Sequence, residues 1–148
     1  MKKPLRVLLV NKAYPPHIGG IETLVRRYAL CLQTEFHAEV QVLVCQEKGK
    51  TVREVVEGIP VLRAGSIGTY FSCPLSCSFL WQFRKMTKQA DVVMIHMPFP
   101  LADLACLLSG YQGRVVLAWH SDVVKQKTLL RFYRPLLQWL LKRADCIL

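Results

Sequence analysis

The run Leu5-Arg6-Val7-Leu8-Leu9-Val10 is nearly all apolar, and it empties into a loop that ends in two glycines, Gly19-Gly20. After the glycines, Ile21, Leu24, Val25, Tyr28, Ala29 and Leu32 fall at helical spacing and form one apolar stripe. A short run apolar on both sides, followed by a one-sided helix, is the opening unit of a sheet covered by helices. The pattern then recurs. Ala38–Cys45 reads as a second strand, and residues 51–57 and 59–64 as two short strands around Gly58-Ile59-Pro60, a hairpin-like insertion at the sheet edge. Gly65-Ser66-Ile67-Gly68 reads as loop. Ser76–Gln89 reads as a helix with Phe79, Leu80, Phe83, Met86 and Thr87 inward. From Asp91 the alternation is regular: strand 91–96, helix 101–108, strand 114–119, helix 128–142 and a strand opening at Ala144. This order predicts an α/β fold, a Rossmann-like open parallel sheet with helices on both faces.

Composition narrows the class. In 148 residues, 52% hydrophobic and 20% charged, there is material for one domain with a real core and no signature of disorder. The six cysteines follow no framework spacing, and most sit among apolar neighbours, which predicts buried free thiols in a reducing compartment. Cys73-x3-Cys77 has no second pair and no histidine at ligand spacing, so no metal site is expected. The basic start Met1-Lys2-Lys3 precedes a run of strand length without a cleavage site, and no apolar window is long enough to span a bilayer. A cytoplasmic location is expected. The net charge of +10 raises nucleic acid as a partner, but no nucleic-acid motif accompanies it and the aromatics are scattered, so none is expected.

The glycine pair has two readings. A strand, a glycine pair and a helix start present backbone N–H groups at the positive end of a helix dipole, which suits a phosphate or diphosphate. Alternatively, Gly19 and Gly20 only let the chain turn tightly into the helix. Neither the dinucleotide fingerprint nor a Walker loop is present. Pro15-Pro16 stiffens this loop, and it lies at the carboxyl end of the first strand, where open α/β sheets place ligands. The ligand reading is therefore preferred. Two further loops leave strand ends with polar residues: His96-Met97-Pro98-Phe99-Pro100 and His120-Ser121-Asp122-Val123-Val124-Lys125. In a parallel sheet these ends share one edge, so two histidines, an aspartate and a lysine are expected to converge on the glycine loop.

Three segments carry a resemblance: Pro-x-x-Gly-Gly-x-Glu at Pro16–Glu22, Asp-Val-Val-x-x-His-x-Pro-x-Pro at Asp91–Pro100, and Trp-His-Ser-Asp-Val-Val-Lys-Gln-Lys at Trp119–Lys127. In order and spacing the chain resembles glycosyltransferase family 4, in particular bacterial members that build surface polysaccharides and lipid-linked glycans. The resemblance implies the N-terminal, acceptor-side half of a two-domain GT-B fold and transfer from a nucleotide-diphosphate sugar with retention. It implies no metal and no other cofactor. By the same resemblance Gly19 and Gly20 approach the donor diphosphate, and His120 stands near the donor sugar as the catalytic histidine. Tyr14, Asp122, Lys125 and His96 lie on the acceptor side, with His96 equally open to a structural hydrogen-bonding role.

The family's Glu-x7-Glu pair belongs to its C-terminal, nucleotide-sugar domain. The one such pair here, Glu39 and Glu47, straddles a strand of the first half and reads as chance. The chain stops inside a strand, so residues 1–148 are expected to be an incomplete N-terminal domain without its partner domain, inactive alone. The expected partners are a nucleotide sugar, a glycan or lipid-linked acceptor and the missing C-terminal domain. The alternative is a non-catalytic α/β module that binds an anionic ligand or membrane surface. That surface is expected along Lys125–Arg143, where Lys125, Lys127, Arg131, Arg134, Lys142 and Arg143 occur without an acid and Pro135 predicts a kink or break.

Overall fold

The computed structural model describes residues 2–121 and 127–148. Seven strands form one sheet: β1 (Arg6–Val10), β2 (Glu39–Cys45), β3 (Val52–Val56), β4 (Ile59–Ala64), β7 (Val92–Met97), β8 (Arg114–Trp119) and β9 (Cys146–Ile147), in the spatial order β3-β4-β2-β1-β7-β8-β9. Every pairing in it is parallel except β3 with β4. The two short strands around Gly58 are thus an antiparallel pair, β3 forming the edge and β4 joining β2. A separate two-stranded ribbon, β5 (Gly68–Tyr70) and β6 (Cys73–Leu75), occupies the stretch that begins in the expected loop.

Strand β1 is the pivot. Its helix α1 (Gly20–Thr34) leads to β2 on one side, whereas the neighbour on its other side is β7, reached much later. This reversal at β1/β7 opens a crevice at the carboxyl edge of such sheets. Alternation divides the core in two. Val7, Leu9, Val40, Val42, Met94 and Ala118 point to α1, which buries Val25 and Ala29 against them. Leu8, Val10, Leu43, Ile95 and Leu117 point to the face covered by α2 (Cys77–Thr87), α3 (Pro100–Ser109) and α4 (Lys127–Arg143).

Local chemistry explains the element ends. Ser76 caps α2 by accepting the Phe79 N–H at 2.9 Å, and Gly110 closes α3 with φ 64°. Arg6 and Asp91 tie the amino ends of β1 and β7 through a paired contact, Nε to Oδ2 at 3.1 Å and Nη2 to Oδ1 at 2.8 Å.

Three expectations need correction. Helix α4 runs through Pro135 without the break that is one of the two expectations there; a proline costs a helix one internal hydrogen bond, which burial of Leu140 and partial burial of Leu137, Trp139 and Leu141 offset. The thiols are free, but only Cys45 and Cys106 are buried, while Cys31, Cys77 and Cys146 are exposed because each falls on the outer side of its element. Strands β5 and β6 escaped periodicity because three-residue strands carry too little pattern.

Candidate functional site

The carboxyl edge of the sheet gathers the loops that follow β1, β2, β7 and β8. After β1 the chain keeps pairing with β2's end: Cys45 N–H donates to the Lys12 carbonyl at 3.1 Å, and Asn11 N–H donates to Leu43 at 3.2 Å. The loop is then held from the side by Arg63 of β4. Its guanidinium donates to the carbonyls of Tyr14 at 3.0 Å and Pro15 at 2.5 Å, and to Glu54 at 2.5 Å.

Gly19 caps α1 and Gly20 is its first residue. The two glycines are not equivalent. A Cβ on Gly19 would run into the Glu22 carboxylate, which folds back over the helix start, whereas a Cβ on Gly20 would meet nothing within 4 Å. The Glu22 carboxylate thus lies against Gly19 at the helix start, and the space beside the Gly20 Cα is open. His17 spans two carboxylates, with Nδ1 3.6 Å from Glu22 and Nε2 3.6 Å from Glu47.

Beside this loop lies a cavity of about 700 Å³, lined by Lys12, His17, Glu22, Glu47, Lys48 and Ser72 among others. Its outer wall is the β5–β6 ribbon, whose tip holds Phe71 and Ser72 at φ 49° and 59°. Positive φ at both central residues of a two-residue hairpin turn is the type I′ arrangement, one that asparagine and glycine normally fill. Phe71 is 73% exposed there, and Tyr70 and Ile67 are also exposed.

The two strand-end histidines meet. His96 pairs with Ala118 across β7 and β8, and His120, two residues after Ala118, returns to the same face. Their rings lie edge to edge, centroids 5.2 Å apart with 2° between planes, and His96 Nδ1 lies 2.9 Å from His120 Nε2. Tyr28 of α1 leans on His96, ring centroids 5.8 Å apart. Burial, then the neighbouring His120, pushes His96 down to about 4; burial also lowers His120.

The structure places the sequence-derived candidates unevenly. His120 stands at the edge and is partly exposed, and Gly20 is open. Tyr14 is fully buried in the cluster with Val7, Leu9, Val25 and Ala29, its hydroxyl without a hydrogen-bond partner among the described residues. His96 is 1% exposed and hydrogen-bonded to His120. Asp122 and Lys125 lie outside the described residues. The histidine pair does not line the cavity by the glycine loop. Glu39 opens β2 and Glu47 lies two residues beyond its end. Lys12, His17 and Arg63 were missed; only the position of Lys12 straight after β1 was a usable signal. Among the described residues, no group of three potential ligands could hold a metal ion.

A parallel sheet with a glycine loop at the β1 end and a histidine pair on the same edge is a Rossmann-like arrangement, the fold of the N-terminal domain of GT-B glycosyltransferases. Residues 19–148 match the glycosyl transferase 4-like domain, and the chain belongs to that family. It is 32% identical over 145 residues to the O-antigen chain mannosyltransferase C of Escherichia coli, and 33% identical over 145 residues to the D-rhamnosyltransferase WbpZ of Pseudomonas aeruginosa. Each alignment covers 97% of this chain and 38% of the relative, so the chain spans 38% of their length. Sucrose-phosphate synthase of Thermosynechococcus elongatus shares the fold with a TM-score of 0.62 at 12% identity, covering 97% of this chain and 41% of that one.

Proposed function

We propose that this chain is the acceptor-side half of a retaining glycosyltransferase. It moves a hexose, mannose in the first instance, from a nucleotide-diphosphate sugar to a glycan or lipid-linked acceptor, without a metal. Family membership and the two transferase relatives support the reaction class. In this reading the helix start at Gly20 faces the donor diphosphate from across a cleft completed by a second domain. His120 stands at the reacting sugar. The cavity by the β5–β6 ribbon takes the acceptor, its carboxylates and lysines matching hydroxyl groups.

The observation that carries the reading is the His120 ring. It is pinned by His96 at the same sheet edge as the glycine loop, and one fixed hydrogen-bond donor at a reacting centre contributes on the order of 10²–10³ in rate. The test is sugar transfer by a polypeptide that joins this chain to the second domain. His120→Ala is expected to lower kcat by about that factor, with the 148-residue chain alone inactive. A change confined to KM, or turnover by the chain alone, would refute the assignment.

One observation favours a second role, contact with an anionic membrane surface. On α4, Arg131, Arg134 and Lys142 are exposed beside Phe132, which is 79% exposed. No helix among the described residues is long and apolar enough to cross a membrane.

A further inference from the structure

We infer that His96 is a positioning residue that fixes the tautomer of His120, making the outward ring nitrogen of His120 a hydrogen-bond donor. The contact between His96 Nδ1 and His120 Nε2 is 2.9 Å long. Two neutral imidazoles at that distance share one proton, and one of the two nitrogens must donate it.

The two arrangements leave different atoms stranded. If His120 Nε2 donates, His96 must carry its proton on Nε2. That nitrogen is buried without a hydrogen-bond partner among the described residues. If His96 Nδ1 donates, the stranded atom is only a lone pair. An orphaned buried N–H is among the rarest polar defects in folded chains, so the second arrangement is the lower in energy. The chain topology enforces the contact. His96 is held in β7 opposite Ala118, and the His120 N–H donates to the Met97 carbonyl at 3.2 Å, which fixes the backbone on both sides of the pair. Burial also keeps His96 uncharged near neutral pH.

The proton count then closes. His96 keeps one proton, on Nδ1, and shares it with His120 Nε2; His120 keeps one proton, on Nδ1. The outward nitrogen can donate to a sugar or phosphate oxygen and cannot accept a proton from an incoming hydroxyl. A general-base role for that nitrogen is thereby excluded in the resting state. The catalytic consequence rests on the proposed placement of His120 at the reacting sugar; the tautomer itself does not, so the two can fail separately.

The experiment is long-range ¹H–¹⁵N correlation spectroscopy of the histidine rings in the ¹⁵N-labelled chain near neutral pH, with His120→Ala to assign its signals. The expected pattern is a protonated Nδ1 and unprotonated Nε2 on both His96 and His120. His96→Phe is expected to move His120 toward the Nε2–H form. His96→Asn, whose side-chain amide can donate from the Nδ1 position, is expected to retain the native pattern. A protonated Nε2 on His120 in the unmodified chain overturns the inference whether or not either variant folds. So does an unchanged His120 pattern in folded His96→Phe.

Discussion

Replacing Asp103 by asparagine should give this chain an acid sensitivity that it otherwise hides. Asp103 is fully buried in α3, accepts the Tyr133 hydroxyl of α4 on Oδ2, and leaves Oδ1 without a partner among the described residues. Burial pushes its carboxyl up to about 7 from an ordinary 3.8, against weaker lowering by the Tyr133 bond and by Lys12. Between those values the unfolded chain ionises while the folded one stays protonated, so stability falls as pH rises. His96 acts in the opposite sense. Held at about 4 against an ordinary 6.5, it stays neutral when folded while the unfolded chain takes up a proton, so stability falls as pH drops. Integrated from pH 7 to pH 5, the Asp103 contribution rises by about 2 kcal/mol and the His96 contribution falls by about 2 kcal/mol. His120, also lowered, adds to the His96 side. Asp91, Asp145 and Glu57 are held below ordinary values of 3.8 to 4.5 and act mainly below this window.

Urea denaturation at pH 5 and 7 reads the balance. The unmodified chain should be nearly flat. Asp103→Asn, which still accepts from Tyr133, should lose about 2 kcal/mol on acidification, roughly 4–8 °C in Tm. His96→Asn should gain stability or stay level over the same change, with only His120 opposing. An Asp103→Asn profile as flat as the unmodified one would refute the buried-carboxyl account, and equal acid sensitivity in all three chains would refute both assignments.

Three further outcomes follow from contacts already described. Arg63→Lys keeps the charge but loses the fork that holds both loop carbonyls; hydrogen exchange of residues 17–20 should quicken by about tenfold or more, and unchanged exchange would mean the loop is held elsewhere. Phe71→Asn with Ser72→Gly puts the preferred pair into the type I′ turn and should raise stability by about 1 kcal/mol, measured as a shift in urea midpoint; a loss would show that the exposed ring packs on something. Arg131→Glu with Arg134→Glu should abolish co-sedimentation with vesicles containing anionic lipid, binding that should also fall with added salt. Equal binding to neutral vesicles would exclude the electrostatic account.

The large elements were legible because their patterns are long. Strands β1, β2, β7 and β8 are apolar runs buried on both faces, and α1 announces itself through six residues on one stripe. The shared edge followed from the parallel order, and with it the meeting of His96 and His120. What stayed hidden depends on direction rather than composition. Tyr14 sits in the right loop but turns inward, and nothing in Ala13-Tyr14-Pro15 specifies that. Arg63 looks like any strand-edge cation until β4 lies beside β2 and points it at the loop. Glu22, read only as part of a motif, proves to lie against Gly19 at the start of α1.

The Arg63 clasp also gives the chain a timetable. The segment that turns into α1 emerges from the ribosome early, yet the guanidinium that fixes it is 48 and 49 residues downstream of the carbonyls it grips. At translation rates of roughly 5–20 residues per second, that separation corresponds to about 2–10 s. Until then the nascent segment can form α1 but lacks the anchor that sets the loop's approach to it. The path of that loop is therefore a property of the assembled β1–β2–β4 layer rather than of the segment itself.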